Sequence, residues 1–136
     1  MSDTYPLITV RDLALSRDFF VGVLGMSVVF EASWVAMLAR QEGGPIVLGL
    51  MTADHPSNPP GPETFDGRGM IMTFQVENAS AEHKRLQAAG AQIVYGLATE
   101  PWGQRRFMAR DPSGILVDVV EQIEPAEGFW DKYMKP

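Results

Sequence analysis

The chain has 136 residues, 46% of them hydrophobic and 21% charged, enough to bury one domain's core and ordinary for a globular protein. Its 11 Lys and Arg against 17 Asp and Glu leave a net charge of −6, which argues against gripping a nucleic acid across a broad face. Cysteine is absent, so disulfides, thiolate metal sites and a cysteine nucleophile are excluded. No basic segment followed by an apolar run opens the chain, and no stretch approaches the roughly 20 apolar residues of a membrane helix. A cytoplasmic protein with no membrane partner is therefore expected.

In chain order, Ile8-Thr9-Val10 reads as a strand, and Asp12 is placed to cap the helix that follows. On that helix Ser16, Phe20, Val23 and Leu24 share a face, and Gly25 is a natural stop. Val28 to Phe30, Trp34 to Arg40 and Ile46 to Met51 read as strands, with Gly43-Gly44-Pro45 turning between the last two. Residues 54–67 form a connector stiffened by Asn58-Pro59-Pro60-Gly61-Pro62. The order then recurs. Met70 to Val76 is a strand, Asn78 caps a helix that ends at Gly90, and strands follow at Gln92 to Tyr95, Gln104 to Arg110 and Ile115 to Val120. Val10 matches Val76, Asp12 matches Asn78, Phe30 matches Tyr95 and Gly44 matches Gly114, at a spacing of roughly 65 to 70 residues.

The reading is an α+β fold of two βαβββ repeats, about 5–53 and 68–123, within a single domain spanning 1–123. Residues 124–136 form a tail in which Phe129, Trp130, Tyr133 and Met134 share one face if it is helical. That tail either docks on the domain or a partner subunit, or is a loosely ordered end.

The stretch Val10-x-Asp12-Leu13-x-x-Ser16-x-x-Phe19-Phe20-x-x-x-Leu24-Gly25-Met26, with Asp111-Pro112-Ser113-Gly114 entering a strand, resembles the glyoxalase / bleomycin-resistance / extradiol-dioxygenase (vicinal oxygen chelate) superfamily. The resemblance implies a curved mixed sheet enclosing a small-molecule cup, in a homodimer. It leaves the reaction open, because the fold hosts lyases, epimerases, dioxygenases and non-catalytic drug binders. Pro101-Trp102-Gly103-Gln104-Arg105-Arg106-Phe107 is similar to the Pro-Trp-Gly-x-Arg-Glu-Phe stretch of bleomycin-resistance proteins, with Arg106 where those proteins carry an acid.

Superfamily enzymes hold one divalent ion, with ligands from the first and last strand of each half. The resemblance maps these positions onto Tyr5, Leu48, Ile71 and Asp118. Strand alternation agrees that Tyr5, Leu7, Thr9, Ile71, Thr73 and Gln75 face inward. Leu48 and Ile71 cannot coordinate, and a protonated phenol is a poor ligand for ions that want three or more nitrogen or oxygen donors. The two histidines lie in the connector (His55) and on the second helix (His83, expected at the solvated surface). No metal or other cofactor is expected, a displaced divalent ion being the alternative.

An inner face of Leu7, Thr9, Leu48, Leu50, Ile71, Thr73, Gln75 and Leu116 would make an apolar cup with a few hydrogen-bonding groups. Trp34, Trp102 and Phe107 are candidate stacking rings, each equally readable as core, and Phe65 is a further one from the connector. Of the neighbours Arg105 and Arg106 one should point inward, with Asp118 as its natural partner, either as a structural pair or as part of a ligand site. The ligand-binding candidates are Trp34, Trp102, Arg106, Phe107, Asp118, Tyr5, Thr73 and Gln75, with no catalytic residue assigned. Three functions remain: a metal-free binder of an aromatic small molecule, a divergent enzyme using a displaced metal or Asp118 and Tyr5, and an interaction module marked by its aromatic tail.

Overall fold

The computed structural model describes residues 3–57, 61 and 63–136. Asn58, Pro59, Pro60 and Pro62 of the proline-stiffened connector lie outside the described residues. The chain divides into two compact units, one of Met1–Met70 with Asp111–Ile115 and one of Ile71–Arg110 with Leu116–Pro136.

In the first unit, β1 (Leu7–Thr9), α1 (Leu13–Asp18), β2 (Ser27–Ala32), β3 (Val35–Ala39) and β4 (Ile46–Met51) form a four-stranded sheet of order β1-β4-β3-β2 with its helix. Strand β1 runs parallel to β4, and the other pairs are antiparallel. The second unit repeats this plan with β5 (Ile71–Gln75), α2 (Ala79–Ala88), β6 (Gln92–Glu100), β7 (Gln104–Arg110) and β8 (Leu116–Gln122), in the order β5-β8-β7-β6. Two open sheets with the same order and the same single parallel pair make the βαβββ repeat a fact of topology.

Both helices start where a short polar side chain can satisfy a free backbone amide. Asp12 Oδ1 accepts from Leu15 N and Asn78 Oδ1 from Ala81 N, each at 3.0 Å. Their stops differ from a simple periodic reading at one place. After α1 the chain widens into a π-helical turn, Phe19–Val23, with Leu24 N donating to Phe19 O at 3.1 Å. The wider turn buries both Phe19 and Phe20, whose rings meet edge to face at 5.3 Å, although a 3.6-residue period reaches only the second.

The core of the first unit is Ile8, Leu38, Leu48 and Leu50 with Phe20, all nearly or fully buried. That of the second is Phe74, Leu86, Phe107, Val117 and Val119. His83 is half-buried and sits edge-on to Phe107 at 5.0 Å, so it belongs to the packing beneath α2 rather than to the solvated surface expected of it.

The segment Asp111–Ile115 carries a buried polar network. Asp111 Oδ1 accepts from the backbone N–H groups of Ser113 at 3.0 Å and Ile115 at 2.7 Å. Its Oδ2 accepts from Ser16 Oγ of α1 at 2.6 Å, and the Ser16 and Ser113 hydroxyls meet at 2.7 Å. All three side chains are at most 3% exposed, so water cannot replace a lost partner. The Asp-Pro-Ser-Gly motif is thus a structural clamp on the first helix.

The tail is not a helix but a run of turns seated on the β6–β7 turn. Ile123 N donates to Gly103 O at 2.8 Å, Ala126 N to Pro101 O at 2.9 Å and Trp130 Nε1 to Trp102 O at 2.9 Å. Gly103 has φ 114°, and a Cβ there would stand 3.0 Å from the Ile123 carbonyl oxygen, so the docking requires glycine on both grounds. Of the two fates read from the sequence, the tail takes docking onto its own chain.

Replacing Asp111 by Ala strands two buried amides and a hydroxyl at about 1–3 kcal/mol each. The expected result is a loss of roughly 10 °C in Tm, with a smaller loss for Asp111→Asn, which keeps an acceptor. Thermal melts followed by circular dichroism check this; equal small effects would reduce the network to decoration.

Candidate functional site

In a sheet, directly paired residues share a face, so the register assigns the side chains. In the second unit Thr73 pairs with Asp118, Asp118 with Met108, and Met108 with Tyr95. One row on, Gln75 pairs with Val120, Val120 with Arg106, and Arg106 with Ala98. Beyond that, Gln122 pairs with Gln104 and Gln104 with Glu100. All of these lie on the face opposite the α2 packing, where Phe107, Val117 and Val119 are buried. Arg106 stands at the centre of this face, with Asp118, Tyr95 and Glu100 on its diagonals.

The contacts follow. Arg106 Nε donates to Glu100 Oε2 at 2.8 Å, and its Nη1 lies 3.7 Å from Asp118 Oδ2, an ion pair too long for a hydrogen bond. Its guanidinium carbon is 5.4 Å from the Tyr95 ring centre and 5.1 Å from that of Trp102. The Tyr95 hydroxyl donates to the same Glu100 oxygen at 3.1 Å, and Trp102 Nε1 donates to Gln104 Oε1 at 2.9 Å. Thr73 Oγ1 donates to Asp118 Oδ2 at 3.2 Å, and Gln122 Nε2 to Gln75 Oε1 at 2.9 Å.

Asp118 is 5% exposed, and its Oδ1 is buried with no partner among the described residues. Burial pushes its proton affinity up from the usual carboxylate range, and the Glu100 charge adds to this; the Arg106 charge and the Thr73 hydroxyl pull the other way without cancelling it.

Thr73, Gln75, Trp102, Arg106 and Asp118 therefore come together. Arg106, not Arg105, is the arginine on the Asp118 face; Arg105 lies on the other face with Glu121 at 3.6 Å. Phe107 shares the Arg105 face and is fully buried against His83, so it stands away from the cluster as core. Tyr5 and Trp34 belong to the first unit. Tyr5 lies over Gly49, and Trp34 is 6.1 Å from His55, whose Nδ1 accepts from Ser57 N at 3.3 Å.

Two members were missed in the sequence, Glu100 and Tyr95. The strand was expected to stop at Tyr95, but β6 runs on to Glu100 through two register shifts. Counting back from the Pro101-Trp102-Gly103 turn would have set Glu100 opposite Gln104 and so beside Arg106.

The positions mapped for a divalent ion do not fit one. Leu7 pairs with Gly49 in the register in which Thr73 pairs with Asp118, so Gly49, not Leu48, is the first-repeat counterpart of Asp118. Leu48 and Leu50 were expected on the inner face but point to the other, pairing with Leu38 and Ala36 in the core; a slip of one residue reverses the face. A Cβ on Gly49 would meet Leu7 Cδ1 at 2.9 Å, Met37 Sδ at 3.2 Å and Tyr5 Cε2 at 3.3 Å, so no ligating side chain has room there. In the second unit Ile71 is hydrocarbon, and the Asp118 carboxylate already faces a cation. Among the described residues, no three His, Cys, Asp or Glu side chains gather as a metal site.

A surface cavity of about 330 Å³ lies in the first unit between α1 and the β2–β3 turn, and shares no residue with the Arg106 cluster. Its one cation, Arg17, is held by Glu31 at 3.0 Å and Asp18 at 3.3 Å.

A carboxyl with raised folded-state proton affinity binds its proton more readily in the native than in the unfolded chain. Its contribution to stability therefore falls as pH rises from about 4, the ordinary carboxylate value, through the elevated one. The Tm difference between the wild type and Asp118→Asn should shift against the wild type as pH rises over that window. A difference independent of pH, read by parallel melts, would contradict the burial argument.

The family model described as Glyoxalase/Bleomycin resistance protein/Dioxygenase superfamily matches residues 4–119. Among solved structures, a glyoxalase/bleomycin resistance protein/dioxygenase from Nocardioides is 21% identical, covering 92% of this chain and 85% of its own, with a TM-score of 0.72. TioX from Micromonospora sp. ML1 is 24% identical over 90% of this chain and 100% of its own, at 0.69. A virulence protein from Salmonella typhimurium is 20% identical over 90% and 98%, at 0.72. A search of the curated proteins gave no match. At such identities the structures speak for the fold alone, and with the family match they give the conclusion: this chain belongs to the glyoxalase/bleomycin resistance protein/dioxygenase superfamily.

Proposed function

We propose that the protein is a metal-free binding member of this superfamily, a cytoplasmic homodimer that holds or sequesters an aromatic or heterocyclic small molecule against the Arg106 face of its second unit. The observation that carries the reading is Arg106 itself. A guanidinium flanked by the Tyr95 and Trp102 rings, beside the one carboxylate left among the mapped metal positions, is a stacking platform where a Lewis acid would otherwise be needed. A planar ligand stacking on such rings gains about 0.5–1.5 kcal/mol beyond the area it buries. Thr73, Gln75 and Gln104 supply the few polar groups that orient a bound ring.

A second reading, acid–base catalysis by Asp118, is favoured by its raised proton affinity. The two readings part on whether the bound molecule is returned unchanged.

The test begins with metal content by plasma mass spectrometry on protein expressed with added zinc, nickel, iron and manganese. Clearly substoichiometric metal is expected, and near-stoichiometric metal surviving dialysis would sink the reading. Aromatic antibiotics and metabolites are then screened by tryptophan quenching. Trp102→Phe should remove most of the quench, leaving Trp34 and Trp130 as silent reporters. Mass spectrometry of the recovered ligand separates binding from turnover, and light scattering should give twice the chain mass.

A further inference from the structure

The presence of Arg106 where bleomycin-resistance proteins carry an acid suggests a cationic site, but the neighbours reverse that sign. Glu100 and Asp118 each carry one negative charge when ionised against the single positive charge of Arg106, so the cluster is net anionic. Its carboxylates are little exposed, with side-chain accessibilities of 11% for Glu100 and 7% for Asp118. The charge is therefore poorly screened by water.

The two carboxylates also differ in how fully they are used. Glu100 takes the close Arg106 contact at 2.8 Å and the Tyr95 hydroxyl at 3.1 Å. The Asp118 contacts with Thr73 and Arg106 both fall on Oδ2, leaving Oδ1 buried and bare. An unpaired buried acceptor is destabilising, and most native ones are satisfied by a water, an ion or a ligand.

We propose that Asp118 Oδ1 is the anchor for a nitrogen donor of the ligand, so that the site takes an aromatic molecule carrying a protonated amidine or amine. The inference rests on the binding reading above and adds the ligand's charge and its partner atom. Arg106 holds Asp118 only at 3.7 Å and keeps its 2.8 Å bond to Glu100, so an incoming cation displaces the loose contact and not the tight one. A planar amidinium can engage both Asp118 oxygens at once, the bidentate arrangement that carboxylates favour. Its ring then lies toward Trp102 and Tyr95, the rings nearest Arg106. The chain's net charge of −6 steers a cation the same way at long range.

The experiment compares benzamidine with benzyl alcohol and benzoate, three single-ring probes that differ in charge, following the Trp102 indole N–H and the Thr73 amide by NMR titration of the full chain. Benzamidine should bind at least about tenfold more tightly than benzyl alcohol, as expected for one charge-assisted hydrogen bond, with benzoate weakest. Asp118→Asn should erase that preference, bringing benzamidine to the affinity of benzyl alcohol in the same variant. Glu100→Gln lowers the negative charge without touching Asp118 and should reduce the preference in part, so the inference stays testable if the Asp118 variant fails to fold. Equal binding of all three probes, or a preference for benzoate, overturns the anchor while the aromatic-binding reading stands. If no probe moves the Trp102 resonance, both fall together.

Discussion

One constraint governs the chemistry of this protein: each unit holds a single parallel strand pair, and its register decides which side chains reach the face opposite the helix. In the second unit that register sets Thr73 beside Asp118, and the antiparallel ladder carries the row on to Met108 and Tyr95. Arg106 falls one row away, where diagonal neighbours still meet long side chains. In the first unit the same register delivers Leu7 beside Gly49. The fold is repeated, but the chemistry is not. One copy offers a carboxylate and an arginine, and the other a glycine beneath Leu7, Met37 and Tyr5.

The electrostatics follow from that placement. A buried carboxylate is costly alone, and an arginine is its most compatible partner because the charge is permanent and several donors are available. Here the partner is shared. Arg106 is drawn closest to Glu100, so Asp118 receives attraction at 3.7 Å without a hydrogen bond, and its desolvation is only partly offset. Burial is thus the main cause of the raised proton affinity of Asp118, and the division of one cation between two carboxylates is why Arg106 does not cancel it.

How much of this could be read from the chain depends on range. The caps at Asp12 and Asn78 were legible because capping is settled within three residues, and β4 and β7 were read with the bounds they have. Parity arguments also worked within one strand, where Thr73 and Gln75 stay exposed while Phe74 is buried. They failed across strands. Leu48 was set on the inner face by the mapping that the resemblance implied, and since nothing local fixes how β4 aligns with β1, an error of one residue went unchecked and inverted the answer. Glu100 was missed for a related reason: Gly96 and Ala98 are poor strand formers in isolation, and pairing with β7 keeps the chain extended there. The choice between Arg105 and Arg106 was likewise a question of register, open in the sequence and closed once Glu121 and Asp118 were seen on opposite faces of β8.

The aromatic tail fits into this scheme as a brace. A stacking ring helps a ligand only if its position is fixed before binding, since immobilising a free side chain costs about as much as a single contact returns. Trp102 lies in a turn, where backbone freedom is greatest. Its carbonyl accepts from the Trp130 indole, its ring nitrogen is bonded to Gln104, and Phe129 packs 6.4 Å from its ring. Phe129 is in turn flanked by Trp130 and Tyr133 at 5.3 and 5.4 Å. The tail thus sets the Trp102 plane on one side of Arg106 as the ladder sets Tyr95 through Met108, so the two rings beside Arg106 are held independently, one by the sheet and one by the chain's end.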